Sequence, residues 1–227
     1  MSEAAEGSAR GAILNAVRSA LPKPAVPLPD IPLSDDQEPV QGGLGYHGHL
    51  TALEEVQGFP KPGEPLAPYF QKQLAAMGGQ SFVVSGYEEA RSKIASLFPE
   101  ARVICSVIPE IPGNRPIIPG QHGHAVNDVE IAVLRSRLGV AEAGAVWLSD
   151  ADLVVPALGV LAQHLVVLLN PEDIVPTLHE AYTGRFHLND HAYSVFMAGP
   201  SATGDIEGVV IHGAQGARSL TVLLASF

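Results

Sequence analysis

Residues 81–105, SFVVSGYEEARSKIASLFPEARVIC, decide the fold. The spacing predicts a strand at Ser81–Val84, a helix from Tyr87 to Phe98 and a second strand at Arg102–Cys105. Strands alternating with helices of this length mark a parallel sheet with helical crossovers. Just upstream, Tyr69, Phe70 and Leu74 carry a further helical stretch. Downstream, four prolines and several glycines between Pro109 and Gly123 make a loop. The pattern then predicts a helix near Asp128–Leu138, strands at Ala145–Leu148 and Leu165–Leu169, and a helix over Pro171–Tyr182 with proline in its permitted first turn. Strands at Ser194–Met197 and Leu220–Ala225 complete the series.

The N-terminal region reads differently. Ile13, Leu14, Val17, Ala20 and Leu21 fall at helical spacing and predict a short amphipathic helix. Six prolines between Pro22 and Pro39 then rule out a helix or a central strand, leaving a linker or an extended arm. The expected organisation is a helix and proline-rich arm over residues 1–63 and one α/β domain over residues 64–227.

The 227 residues are 46% hydrophobic and 16% charged, ample material for a core. The opening MSEAAEGSAR is polar and slightly acidic, unlike an export signal, and the apolar window Leu153–Leu169 is interrupted by Pro156, Gly159, Gln163 and His164. That window reads as buried core, and the chain as a soluble, cytoplasmic protein with no membrane span. A formal charge of −11 without a basic patch argues against a nucleic-acid partner. Lys93 is the last lysine, so the C-terminal half holds no Schiff-base lysine. The single cysteine, Cys105, excludes an internal disulfide and a cysteine-ligated zinc or iron–sulfur centre within one chain. Its place in a strand-like run suits an inert buried thiol.

Several motifs are formal only. Gly43, Gly45 and Gly48 satisfy G-x-G-x-x-G but follow no strand and open no helix. Ser201, Asp205 and His212 invite a triad, yet the serine lacks the second glycine of a nucleophile elbow. His187 and His191 have the spacing of metal ligands on a helix, but the segment HLNDHAY reads as a polar loop without a third ligand, so no metal is expected.

Two segments stand out. In Gly139–Ala145 the carboxylate of Glu142 lies among small residues, Gly144 included, just before an apolar strand. Small residues let a ligand or another backbone approach closely, and a solvated glutamate in a turn is the equal alternative. The second segment, GPSATGDIEG over residues 199–208, follows a strand, and Ile206, Val209 and Val210 after it share a helical face, which predicts a strand–turn–helix unit. Ser201, Thr203 and the backbone amides could hold an anion, whereas Asp205 and Glu207 would repel one. A hydroxylated or cationic ligand and a purely structural cap both remain in competition.

These two segments, followed by IHGAQGAR at 211–218 and a terminal strand, resemble the LUD domain of the lactate-utilisation family, most closely its protein C members. The family pattern reads approximately A-E-T/S-G-T, G-P-S-x-T-A-D-I-E and G-x-H-G-P-x. The resemblance runs from about residue 64 to the end, with G-P-S-x-T-x-D-I-E as its specific part. Ala143 and Ala145 stand where the family has hydroxyl residues, Gly204 where it has alanine, and Gln215 and Ala217 where it has histidine and proline. His164 falls where the family often carries a histidine or an aromatic residue.

The resemblance implies a Rossmann-like, doubly wound α/β sheet similar to ribose-phosphate isomerase, coenzyme A transferases and formyltetrahydrofolate cyclo-ligase. Ligands in such sheets lie at the carboxyl ends of the strands, where the Glu142 and Ser201 loops could meet. It also implies a subunit of L-lactate oxidation to pyruvate acting with iron–sulfur partner proteins, with no cofactor in this chain. Gly144, His164, Ser201, Thr203, Asp205, Glu207 and Arg218 would then serve a small organic acid, Arg218 as the carboxylate clamp. One alternative is a stand-alone enzyme of the coenzyme A transferase group with Glu142 as nucleophile or general base. The other is a non-catalytic binding or assembly module.

Overall fold

The computed structural model describes residues 59–183, 190–204 and 209–227, together with Ala12, Asn15, Ala16 and Ser19. The chain divides into two units, Met1–His49 and Leu50–Phe227. In the first, the four described residues are helical and exposed, and Ser19 Oγ donates to the Ala16 carbonyl at 2.9 Å. The apolar stripe expected beside them, the proline-rich arm and the Gly43–Gly48 motif lie outside the described residues.

In the second unit the chain begins with helix α1 (Leu66–Ala76), strand β1 (Gln80–Val83), helix α2 (Tyr87–Leu97) and strand β2 (Ile104–Ser106). Strands β3 (Ile131–Ser136), β4 (Gly139–Val140) and β5 (Ala145–Ser149) follow, then short helices α3 (Asp150–Leu153) and α4 (Leu158–Leu161). Next come β6 (His164–Leu169), β7 (Ile174–Val175), helix α5 (Leu178–Thr183) and β8 (Ser194–Met197). The chain ends on β9 (Ala202–Thr203), β10 (Ile211–His212) and β11 (Ser219–Leu224).

Five strands form a parallel sheet in the order β1-β11-β6-β3-β2. A mixed four-stranded sheet, β7-β4-β5-β8, lies against it, and β9 and β10 make a separate antiparallel hairpin. The layering follows from the two-residue alternation of strand side chains. Along β6, Leu165, Val167 and Leu169 pack with Phe70 and Leu74 of α1 and with Val146 and Leu148 of β5. Val166 and Leu168 point the other way, to Ala90 and Ile94 of α2 and to Ile131 and Val133 of β3. Both faces of the parallel sheet are therefore covered, as a Rossmann-like α/β fold requires. Among the described residues, no helix is long and apolar enough to cross a membrane.

Three expected elements differ. Residues 131–136 form a strand in place of the helix expected near Asp128–Leu138, because Ile131, Ala132, Val133 and Leu134 are all fully buried between two layers. A segment buried on every side shows no amphipathic period from which strand and helix can be told apart. The helix expected over Pro171–Tyr182 is split into a 3-10 turn at Pro171–Asp173, strand β7 and helix α5. Pro176 disfavours the α conformation at Val175, and β-branched Ile174 and Val175 pair with Gly139 and Val140 instead. Finally, Thr203 pairs with Ile211 and Ala202 with His212, so the predicted strand–turn–helix unit is a β-hairpin, whose residues 205–208 lie outside the description.

Candidate functional site

Glu142 and Gly144 sit in the turn of the β4–β5 hairpin, where Gly144 has φ 57° and its N–H donates to the Ala141 carbonyl at 3.2 Å. An added Cβ on Gly144 would lie 2.2 Å from the Leu74 nitrogen, so the close approach permitted by small residues is that of the α1 backbone. Glu142 Oε1 accepts the Leu178 N–H at 2.7 Å, and its own N–H donates to the Pro176 carbonyl at 3.0 Å. The carboxylate thus holds the first turn of α5, while Oε2 is sealed from solvent without a hydrogen-bond partner.

Ser201, His164 and Arg218 gather at another place. His164 and Ser219 are the first residues of β6 and β11, and they pair in register. Ser201 donates its N–H to the Ala217 carbonyl at 2.9 Å and accepts the Gly213 N–H at 2.7 Å, while Arg218 N–H donates to the Gln163 carbonyl at 2.7 Å. All of this lies at the amino edge of the parallel sheet, not at the carboxyl ends expected from the fold rule. The reason is connectivity: the Ser201 loop feeds directly into the start of β11. Thr203 lies in β9 of the same hairpin, and Asp205 and Glu207 fall outside the described residues. Among the described residues no hydrogen bond or ion pair links Glu142 or Gly144 to Ser201, His164 or Arg218.

His164 is built into this edge. Its Nδ1 lies 2.8 Å from Ser219 Oγ, and its ring packs at 4.7 Å between centroids on Phe98. Burial pushes the imidazole pKa below its ordinary value, and the positive charge of Arg218 adds to this, against the opposing pull of Glu130. A histidine whose folded pKa is depressed binds fewer protons than the unfolded chain just below the ordinary value of about 6.5. Stability should therefore fall as pH drops through about 6.5 and level off once the folded pKa is passed. Urea unfolding from pH 8 to pH 5 should show this slope, and His164→Asn should flatten it.

Residues 123–225 match the family model described as the LUD domain. The chain is also similar in fold to a solved crystal structure, that of a DUF162 family protein from Deinococcus radiodurans. That similarity has a TM-score of 0.54 at 16% identity and covers 71% of this chain and 96% of the other. No curated protein matches the chain.

Within the matched residues lies a polar cluster that sequence reading missed, at the end of β5. Ser149 caps α3: its Oγ and N–H both donate to Asp152 Oδ2, at 2.6 and 3.0 Å. Asp152 also pairs with Arg137, Nε to Oδ1 at 3.3 Å, and the Arg137 guanidinium lies over the Trp147 ring, 5.5 Å from its centroid. The His191 ring packs against the same indole in a T-shaped arrangement, 5.2 Å between centroids, with Nδ1 2.8 Å from Asp150 Oδ1. The hydrogen bond from His191 holds the Asp150 carboxyl below the usual carboxylate range. His191 is therefore the partner of an aspartate, and His187 lies outside the description; among the described residues, no group of three His, Cys, Asp or Glu is placed to hold a metal ion. The one available signal was the chain's single tryptophan inside a predicted strand.

Proposed function

We propose that this chain is a subunit or accessory protein of L-lactate utilisation, acting with iron–sulfur partner proteins that take the electrons when lactate becomes pyruvate. The LUD domain at residues 123–225 carries the proposal. One cysteine, fully buried in β2, cannot by itself ligate an iron–sulfur cluster, which is consistent with partners that carry the clusters. Glu142 supports a subunit over a self-sufficient transferase. A carboxylate nucleophile must reach its acyl donor, yet Oε1 is committed to the Leu178 N–H and Oε2 is closed off from solvent.

The test is affinity capture of this chain from lactate-grown cells of its own source, followed by lactate oxidation assays of the recovered assembly with and without it. Recovery of iron–sulfur proteins, with loss of activity on omission, is the expected result. Recovery of the chain alone and undiminished lactate oxidation in its absence would overturn the proposal. Intact-mass measurement after exposure to acyl-coenzyme A should show no adduct at Glu142.

A further inference from the structure

The two edges of the parallel sheet are finished differently. At β2 the chain covers its own edge: Ile104 donates its N–H to Asn114 Oδ1 at 2.8 Å, and its carbonyl accepts the N–H groups of Asn114 and Arg115, both at 2.9 Å. β1 has no such cover among the described residues. Val84 N–H donates to the Leu224 carbonyl at 2.9 Å, so Gln80, Phe82 and Val84 turn their backbone groups towards β11. By the alternation of a strand, Ser81 and Val83 present their N–H and C=O groups outwards. The described hydrogen bond at Ser81 is made by its side chain, Oγ accepting from Gln71 Nε2 at 3.1 Å.

An open edge invites another strand, and proteins ordinarily guard it with charge or proline. No residue between Lys72 and Glu88 is charged, and none is proline. Lys93 of α2 lies over the Phe82 ring, 4.5 Å from its centroid, engaged with that ring and not with the strand backbone. The neutral stretch matters in a chain of net charge −11, where self-repulsion opposes contact between copies. A basic partner would need acids along this seam, whereas a second copy needs only that the seam be neutral.

The geometry points to a homodimer formed by antiparallel pairing of β1 with β1 of a second copy, about a two-fold axis at Phe82. Ser81 then lies opposite Val83 of the second copy and exchanges both backbone hydrogen bonds with it, and Val83 does the same with Ser81. Phe82 stands opposite Phe82 in the intervening non-hydrogen-bonded pair, where cross-strand side chains come closest. The parallel sheets of the two copies become one. A single short strand buries little surface, so the dimer is weak and depends on concentration.

Sedimentation velocity of the full chain, over a concentration series reaching the millimolar range, should show the mass rising from one copy towards two. Ser81→Pro removes an outward N–H without touching the ladder to β11, and proline is tolerated at such edge positions. Val83→Lys sets like charges diagonally across the seam, about 7–8 Å apart, at a position 69% exposed in the single copy. Each should weaken dimerisation about tenfold or more, with an unchanged far-ultraviolet circular dichroism spectrum. Val83→Ala keeps every backbone bond and should dimerise as the parent does. A parent that stays monomeric throughout, or undiminished association of Val83→Lys or of folded Ser81→Pro, would overturn the inference. Slow amide exchange at Ser81 and Val83 in the dilute chain would overturn it too, because residues of the same chain would then cover the edge.

Discussion

Gly144→Ala is expected to destabilise the Leu50–Phe227 unit by about 2–5 kcal/mol, a large share of the roughly 5–15 kcal/mol available to a domain. Two effects add. The backbone at Gly144 has φ 57°, a left-handed conformation that costs a side-chain-bearing residue about 1–2 kcal/mol. The new methyl would also stand 2.2 Å from the Leu74 nitrogen and 2.6 Å from the Gln73 carbonyl carbon. Backbone inside a helix cannot swing aside as a flexible side chain can, and overpacking of this kind typically costs about 1–3 kcal/mol. Gly63 separates the two effects. It has φ 79° with nothing within 4 Å of an added Cβ, so Gly63→Ala should show the conformational cost alone. Urea unfolding of the two variants against the parent checks both figures. A Gly144→Ala variant as stable as Gly63→Ala would mean that the hairpin does not press on α1.

The same glycine shows what the sequence could and could not reveal. Small residues around Glu142 announced a close approach, but nothing local distinguishes a ligand from a helix backbone arriving from sequence-distant residues 73 and 74. β1 and β2 were legible as short apolar runs bounded by turn signals, and α2 because its buried Ala90 and Ile94 stand at helical spacing on one face. β3 was misread for the opposite reason: burial on both faces erases the period. α5 was overextended because Pro171 is compatible with a helix start, while the β4 partner that draws Ile174 and Val175 into a sheet is invisible in the local pattern.

The candidate site followed the same division. Ser201, His164 and Arg218 do share one edge of the sheet, but the loop preceding β11 fixes that edge as the amino one. The Trp147 cluster draws Arg137, Ser149 and His191 from the end of β3, the end of β5 and the loop before β8. Their proximity depends on β5 pairing with β8, Ser149 opposite Ser194, and no spacing rule encodes that.

Leu168→Ala should be the second severe substitution, at about 2–5 kcal/mol. Leu168 is 0% exposed on the central strand β6, opposite Leu223 of β11 and Arg135 of β3, and it packs in the cluster that joins the sheet to α2. Neighbours held on both sides by hydrogen-bonded strands cannot collapse into the space left by the lost methyls, which places the cost towards the upper part of that range. Val83, on edge strand β1, is the internal control: it is 69% exposed, and Val83→Ala should change stability by less than about 0.5 kcal/mol. Chemical denaturation should shift the midpoint for Leu168→Ala with little change in its slope, since the surface exposed on unfolding is nearly the same. Similar losses at the two positions would contradict a sheet covered on both faces, because only burial distinguishes these two aliphatic side chains so sharply.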